Sequence, residues 1–174
     1  MLKKEMLDAL NAQINLEFYS SNLYLQMSAW AQSKGLEGAA RFLKSHAGEE
    51  MSHMDKFFSF INETGGMAIL GTLAAPPTAF DSVKDMFEQI LEHEQLVTSK
   101  INDLAALAFG LKDFTTFNFL QYFIAEQLEE ESIFGSILDK IKIIGVPEKG
   151  LYLFDKELAR MDAEHHGTAP TPAE

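Results

Sequence analysis

Four long segments of the sequence repeat apolar residues with the 3.6-residue period of an α-helix, and glycine-containing breaks separate them. The segments, together with a shorter fifth one, cover about residues 3–34, 37–62, 82–109, 113–144 and 148–161. Asp81 or Ser82 can cap the N-terminus of the third segment. The pattern predicts an all-α chain with four long helices and one short helix.

The lengths of the breaks predict how the helices are connected. Short breaks at Gly35 and Gly110 join antiparallel neighbours, so helices 1 and 2 form one hairpin and helices 3 and 4 form another. The break over 63–80 is long and rich in Gly, Pro and Ala, and it can cross the length of a bundle. We therefore expect a four-helix bundle with a long crossover between helices 2 and 3 and a short fifth C-terminal helix. Residues 1–161 would form one domain, and 162–174 a mobile tail.

The composition argues against several kinds of partner. The chain has 174 residues, a formal net charge of −12 and a pI of about 4.8, which disfavours nucleic acid and anionic membranes as partners. It has no cysteine, so disulfides and thiolate metal sites are excluded. The longest uncharged stretch, 64–80, is broken by Gly and Pro and cannot cross a membrane. Since the N-terminus lacks the apolar region of a secretory signal, a cytoplasmic protein is expected.

Each predicted long helix carries a polar residue within its apolar stripe. The third helix is the clearest case, because Glu94 interrupts a stripe that is otherwise apolar. The corresponding residues in the first, second and fourth helices are Glu17, Glu50 with His53, and Gln127 with Glu130. A carboxylate inside a bundle costs several kcal/mol of desolvation unless it is paired or bound to a metal. The alternative is a hydrogen-bonded polar network, which is most plausible for Gln127 alone.

The spacing of these polar residues repeats between the two hairpins. The separation in sequence between Glu17 and Glu50 equals the separation between Glu94 and Gln127. Three positions after Glu50, and three positions after Gln127, each hairpin has another polar residue. The same difference in residue number relates each polar residue of the first hairpin to its counterpart in the second. An approximate two-fold axis between the hairpins would bring all these groups to one point inside the bundle.

The residue types match one kind of metal centre. A Glu from each of two helices and a Glu-x-x-His from each of the other two form the ligand set of di-iron carboxylate bundles. Residues three apart share one helical face, and both carboxylate and imidazole suit iron. The first Glu-x-x-His is intact, from Glu50 to His53. In the second hairpin it has become Gln-x-x-Glu, from Gln127 to Glu130.

Seven residues together resemble the ferroxidase centre of the ferritins: Glu17, Tyr24, Glu50, His53, Glu94, Gln127 and Glu130. The resemblance is to prokaryotic non-haem ferritin and covers about residues 1–161; segments 49–54 and 117–120 are especially similar. It implies iron storage with ferroxidase activity, in which Fe²⁺ is oxidised with O₂ or H₂O₂ and ferric oxyhydroxide is deposited in a cavity. It also implies a homo-oligomeric shell of twenty-four subunits with octahedral symmetry, whose four-fold channels the fifth helix lines.

The resemblance implies a role for each of these residues. Three groups would hold the first iron, with the second of them bridging: Glu17, Glu50 and His53. Two carboxylates and a nearby amide would serve the second iron: Glu94, Glu130 and Gln127. Tyr24 would hydrogen-bond to a site carboxylate and take part in electron transfer.

A further acidic set resembles the extra iron site that prokaryotic ferritins have toward the cavity. It comprises Glu49, Glu126 and Glu129, together with Glu130. Glu49 and Glu126 are related by the same shift along the chain as the buried groups, so this pair obeys the internal repeat too. Ordinary surface carboxylates are the alternative for Glu49, Glu126 and Glu129.

For the other histidines and one methionine, the sequence gives weaker indications of a function. His46 shares a face with Glu50 and is expected to be a buried neighbour rather than a ligand, and His93 is expected to be exposed. His165 and His166 lie in the predicted tail and are assigned no function. Met51 resembles the haem-ligand position of bacterioferritins, but no haem is expected because the second Glu-x-x-His is missing.

Three other classes of protein fit the sequence less well. A di-iron oxygenase or a rubrerythrin-like peroxidase is disfavoured, because the second Glu-x-x-His is absent and there is no cysteine. The twelve-subunit DNA-protecting relatives place their ligands at a subunit interface and often carry basic tails, whereas these ligands lie within one acidic bundle. A purely structural bundle is disfavoured by the repeated buried carboxylates.

Overall fold

Five helices make up the bundle in the computed structural model, which describes residues 2–145 and 148–165. They are α1 (Lys4–Ser33), α2 (Glu37–Glu63), α3 (Val83–Gly110), α4 (Phe114–Ile144) and α5 (Glu148–His165). α1 pairs with α2, α3 pairs with α4, α1 also packs against α3, and α5 packs against both α2 and α4. The predicted fold class is confirmed. None of the helices in the described ranges is long and apolar enough to cross a membrane.

The helix ends agree with the predicted signals except near Gly110 and after Met161. The Ser82 side chain caps α3 by accepting a hydrogen bond from the Asp85 backbone N–H. Gly110 is itself helical, and the left-handed residue of that turn is Lys112, at a φ of 57°. α5 continues past Met161 to His165, because Arg160 pairs along the helix with acidic residues on either side. The rest of the predicted tail, 166–174, lies outside the described residues.

The long crossover is fastened to α1 by two asparagines one helical turn apart. Asn11 donates to the Met67 carbonyl at 3.2 Å and accepts from the Ile69 N–H at 2.7 Å. Asn15 donates to the Ile69 carbonyl at 2.9 Å and accepts from the Gly71 N–H at 2.6 Å. These four bonds satisfy backbone groups that have no helix or sheet to pair with, and they fix the crossover along the bundle.

The hydrophobic core consists of two clusters of buried residues with a polar layer between them. One cluster contains Phe42, Phe87 and Phe134, and the other contains Phe57 and Phe123. On every long helix the residues of one cluster come before the predicted polar position and those of the other come after it. The fold therefore places the polar interruptions of all four stripes at one level of the bundle, with apolar packing on both sides.

Candidate metal centre

All six polar residues predicted from the helical stripes are buried in the layer between the two clusters: Glu17, Glu50, His53, Glu94, Gln127 and Glu130. None of them exposes more than 4% of its surface. Tyr24 is completely buried beside them. Four carboxyl groups in one dry layer repel one another when ionised, so the layer needs protons or cations to be stable.

The α1–α2 hairpin brings three potential ligands together. One ligand atom from each of Glu17, Glu50 and His53 lies within 4.8 Å of the other two. His53 Nδ1 is 3.7 Å from Glu50 Oε2, and Gln13 Nε2 donates to Glu17 Oε1 at 2.8 Å. Among the described residues, Glu50 Oε2 has no hydrogen-bond partner. Two acidic oxygens and one imidazole nitrogen at this separation form a suitable donor set for a divalent transition metal.

Burial makes the negative charges of this hairpin costly. Burial, followed by the neighbouring Glu50 charge, raises the pKa of Glu17 well above its usual value. Burial likewise raises the pKa of Glu50 to about 7. A cation among these groups would offset both effects, because its charge favours the ionised form of each carboxyl group.

The α3–α4 hairpin holds its first carboxyl group in a hydrogen-bond network. The Tyr24 hydroxyl donates to Glu94 Oε1. Gln127 Nε2 donates to Glu94 Oε2 at 2.9 Å, and it also lies within hydrogen-bond distance of the Glu94 carbonyl and of Thr98 Oγ1. Burial raises the pKa of Glu94 to about 8. Both oxygens of this carboxyl group therefore already have a donor, unlike those of Glu50.

Glu130 completes the second half of the layer from α4. Its Oε2 lies 3.8 Å from His46 Nε2 and has no hydrogen-bond partner among the described residues. Burial, and then the charges of Glu94 and Glu50, raise the pKa of Glu130 to about 10. The influence of Glu50 on Glu130 shows that Glu50 lies close enough to act on both halves.

The three carboxylates predicted to form an extra site are spread along one side of this layer. Glu126 Oε2 lies 3.6 Å from His53 Nε2, so Glu126 adjoins the first half. Glu49 is half-buried and groups with His46 and His165. Glu129 is largely exposed, and its Oε1 lies 3.8 Å from His165 Nε2. These contacts place each of the three residues near the layer, and the extra site stays a prediction.

His93 differs from the prediction that it is exposed. Its ring is partly buried between α1 and α3, and its Nε2 lies 2.7 Å from Ser20 Oγ. The rings of Tyr19 and Tyr24 are 5.7 and 6.3 Å away. Burial lowers the pKa of His93 to about 4, so the ring is neutral at physiological pH. The prediction was wrong because α1 packs over the face of α3 that carries this residue.

Two neighbours of the layer were not identified from the sequence. Gln13 is buried and orients Glu17 from one helical turn away, and this i, i+4 spacing was a signal that could have found it. Tyr122 lies with its ring 6.0 Å from the His53 ring and beside Glu126. Burial, and then Glu126, raise the pKa of Tyr122 to about 12, so the phenol stays protonated. No sequence pattern indicated a role for Tyr122, because it lies on the more exposed face of α4.

Comparisons with known proteins agree with this geometry. Residues 7–144 match the family model for the ferritin-like domain. The chain is 51% identical to a Haemophilus influenzae protein named "Probable bacterial non-heme ferritin-like protein", over 94% of this chain and 99% of that one. It is 47% identical to the bacterial non-haem ferritin of Escherichia coli, over 95% of this chain and all of the relative.

Solved structures of ferritins superpose on this chain. A crystallised open-pore ferritin from the archaeon Archaeoglobus fulgidus superposes with a TM-score of 0.89 at 41% identity, over 91% of this chain and 96% of that one. The ferritin of Chlorobium tepidum superposes with a TM-score of 0.82 at 44% identity, over 97% and 99% of the two chains. The sequence, the fold and the buried carboxylate layer thus agree, and the chain belongs to the bacterial non-haem ferritin family.

Proposed function

We propose that this chain stores iron and has ferroxidase activity, oxidising Fe²⁺ in the buried layer and depositing ferric oxyhydroxide inside a shell of identical subunits. The observation that carries the proposal is the convergence of Glu17, Glu50 and His53, opposite Glu94 and Glu130, in a layer closed by apolar packing on both sides. A buried cluster of this charge has no structural advantage over apolar packing, whereas it is well suited to bind cations.

The first Fe²⁺ would bind in the α1–α2 half. Glu17 and Glu50 supply two negative charges, which neutralise the ion, and His53 supplies a neutral nitrogen donor. Burial raises the pKa values of both carboxyl groups, and the charge of the bound ion favours their ionised forms, so binding displaces protons that they hold. Gln13 keeps Glu17 oriented throughout.

The second Fe²⁺ would bind between Glu94 and Glu130, with Glu50 bridging the two ions. Gln127 stands where the first half has Glu50, and Glu130 stands where it has His53, so each half supplies two carboxylates and one neutral side chain. Tyr24 and Gln127 hold Glu94 in one orientation before the ion arrives. Glu130 Oε2 has no hydrogen-bond partner in the described part of the chain and is the more available donor.

The redox step balances with the substrates already named. Two Fe²⁺ ions give up one electron each to O₂, which takes up two protons and leaves as H₂O₂; with H₂O₂ as oxidant, the same two electrons and two protons give water. Hydrolysis of Fe³⁺ to ferric oxyhydroxide then releases protons. The protein contributes the placement of both ions, exclusion of bulk water by the two apolar clusters, and a phenol, Tyr24, beside Glu94.

Storage requires many copies of the chain around a cavity, and we propose the twenty-four-subunit octahedral shell. Several apolar side chains are exposed on the single chain, more than a monomer of this size usually leaves uncovered: Leu25, Met67, Ile69, Leu70, Tyr152 and Leu153. The first four belong to α1 and the crossover, and the last two to α5. Contacts between copies would cover both surfaces, with α5 lining the four-fold channels and the net charge of −12 attracting Fe²⁺.

The test adds Fe²⁺ aerobically to metal-free protein, far beyond two ions per chain, and separates the products by size. We expect ferric iron to co-elute with a particle of shell size. Glu50→Ala should lose most of this iron, because it removes the carboxylate shared by both halves. Glu63→Ala, an exposed glutamate of the same helix, is the matched control and should behave as the wild type.

Three results would contradict the proposal. Oxidation that stops near two ions per chain, with excess iron precipitating outside the protein, would exclude storage. Equal iron loading in Glu50→Ala and Glu63→Ala would show that the buried layer is not the site of oxidation. A chain that elutes as a monomer under all conditions would exclude the shell.

A further inference from the structure

A second group of metal-type ligands lies where the end of α5 meets α2. One ligand atom from each of His46, Glu49 and His165 lies within 4.8 Å of the other two. The two imidazole rings are 6.0 Å apart between centroids, and Glu129 of α4 lies 3.8 Å from His165 Nε2. This ligand set contains two imidazoles, which the acidic set predicted from the sequence lacks; it shares Glu49 with that set, and Glu129 as a neighbour. It therefore differs in chemistry from a cluster of surface carboxylates.

His46 is held in the form that a metal ligand requires. Its Nδ1 lies 3.0 Å from the Phe42 carbonyl oxygen, which can only accept, so Nδ1 carries the proton and Nε2 carries the lone pair. The residue is only 1% exposed, and its ring packs against the rings of Phe42 and Phe134, whose centroids are 4.2 and 5.3 Å away. Donation from one ring nitrogen to a carbonyl is the usual way in which proteins orient a histidine whose other nitrogen binds a metal.

His165 reaches this group because α5 is docked along its length. Asp155 Oδ1 accepts a hydrogen bond from the Ala39 N–H at 2.9 Å, and so caps the N-terminus of α2 from another helix. Gly38 allows the approach, because a Cβ at this position would overlap the Asp155 backbone carbonyl. Phe154 and Leu158 of the same helix are buried in the core. These contacts fix the direction of α5, and its last turn ends over His46.

A pocket of about 270 Å³ adjoins the group at His165. Apolar and charged side chains line it, among them Phe42, Glu129, Met161, Glu164 and His165. His46 Nε2 lies 3.8 Å from Glu130 Oε2, which belongs to the second half of the buried layer. The group therefore adjoins the pocket through His165 and the second half of the proposed ferroxidase centre through His46.

We propose that His46, Glu49 and His165 bind one divalent transition-metal ion, and that this site delivers Fe²⁺ to the Glu130 side of the buried layer. Two imidazole nitrogens and a carboxylate oxygen are a donor set typical of Fe²⁺ and Zn²⁺. Glu129 is positioned to supply a fourth donor from α4. The delivery role rests on the proposed ferroxidase function, whereas the binding of the ion does not.

Zn²⁺ binding tests the site without any redox chemistry. The full-length protein is first given the substitutions Glu17→Ala, His53→Ala and Glu94→Ala, which disable both halves of the buried layer. Calorimetric titration of this metal-free variant with Zn²⁺ should still show one ion bound per chain. Adding His165→Ala should weaken that binding by roughly tenfold or more. The matched control is His166→Ala, which removes the histidine adjacent in sequence and should leave the affinity unchanged.

The alternatives give different results in the same titration. Unchanged affinity in His165→Ala would overturn the site. Equal weakening by His165→Ala and His166→Ala would also overturn it, since it would indicate adventitious chelation by two neighbouring histidines rather than an assembled group. These outcomes do not depend on whether the protein oxidises iron, so failure of the site and failure of the ferroxidase proposal can be distinguished.

Two glycines of α2 provide a second test that leaves every ligand in place. Gly38→Ala forces α5 away from α2, and we expect it to weaken Zn²⁺ binding about as much as His165→Ala does. Gly48→Ala makes the same change in the same helix where a Cβ meets nothing within 4 Å, and should have no effect. Circular dichroism would check that both variants retain the bundle. Wild-type affinity in a folded Gly38→Ala would show that the docking of α5 does not set the site.

The delivery role is tested by the rate of Fe²⁺ oxidation in an otherwise wild-type chain. His165→Ala should slow oxidation at low Fe²⁺ by roughly three- to tenfold and leave the rate at saturating Fe²⁺ unchanged, because a lost delivery site is bypassed when the ion is abundant. An equal fall at both concentrations, or no fall at either, would overturn delivery. The His166→Ala variant again serves as the control.

Discussion

The two hairpins occupy equivalent positions in the bundle, yet their halves of the buried layer differ in the order of their ligand types and in hydrogen bonding. In α1–α2, three ligand groups converge within 4.8 Å, and Glu50 Oε2 has no hydrogen-bond donor among the described residues. In α3–α4, Glu94 is held by donors at both oxygens, while Gln127 takes the position of Glu50 and Glu130 takes that of His53. The internal repeat that relates the two hairpins therefore preserves the positions of the groups but not their chemistry.

The difference suggests a division of labour between the halves. Three ligand groups already converge in the α1–α2 half, so this half should bind first and more tightly. Glu94 already has a hydrogen-bond donor at each oxygen and must lose or share them when an ion arrives, so the α3–α4 half should bind second and release more readily. An inequality of this kind suits the proposed ferroxidase centre, from which the product would have to leave after oxidation.

The largest expected effect comes from removing one carboxylate from each half in turn. We expect Glu17→Ala to weaken the first equivalent of Zn²⁺ by roughly 100-fold, since it removes a direct ligand together with its charge. Glu94→Ala should leave the first equivalent within about threefold of wild type and weaken only the second. Calorimetric titration of the metal-free proteins measures both. Equal losses of the first equivalent in the two variants would show that the halves do not differ.

The comparison also shows what the sequence could and could not predict. The helices, the crossover and the level of the polar layer followed from periodicity, loop length and repeat spacing, because each depends on local pattern and chain length. The position of His93 did not follow, since its partial burial depends on how α1 lies over α3. The docking of α5 was also missed: Asp155 and Gly38 are distant in the sequence, and nothing local indicates that they meet.

Adding a third carboxylate to the α3–α4 half is the next test. Gln127→Glu places a carboxylate at the position equivalent to Glu50, and we expect it to tighten the second Zn²⁺ equivalent by roughly tenfold through the added charge. The same change should slow the release of iron after oxidation. Gln121→Glu is the matched control, because it places the same substitution on an exposed position of α4. If the two variants bind alike, the amide is not what weakens the second half.

The pH dependence of stability should follow from the raised pKa values. The folded protein holds protons on Glu50 and Glu130 up to about pH 7 and 10, whereas the unfolded chain loses them near 4.5. The folded state therefore binds more protons between these values, and the free energy of unfolding falls as pH rises. We expect the melting temperature of metal-free protein to drop by roughly 5–10 °C between pH 5 and 8, and Zn²⁺ to reduce this drop.

A single substitution tests whether the fall of the melting temperature with pH comes from the buried layer. Glu130→Gln cannot ionise, so its melting temperature should fall less steeply with pH than that of the wild type. Glu63→Gln, at an exposed position of α2, should follow the wild-type curve. Thermal melts followed by circular dichroism at several pH values give the comparison. A Glu130→Gln curve parallel to the wild type would place the pH dependence elsewhere in the protein.

The smallest expected effect concerns the donor that Tyr24 provides to the second half. Tyr24→Phe removes the hydrogen bond to Glu94 Oε1 but no metal ligand, so the number of Zn²⁺ ions bound should not change. Oxidation of Fe²⁺ should slow by roughly two- to tenfold, because a hydrogen bond to a charged group contributes about 1.5–3 kcal/mol and only part of it concerns the reacting geometry. Tyr19→Phe makes the same change at another position of α1. It is the control and should oxidise Fe²⁺ at the wild-type rate. If Tyr24→Phe also matches the wild type, the donors on Glu94 do not tune the second half. The difference between the hairpins would then rest on the order of their ligand types alone.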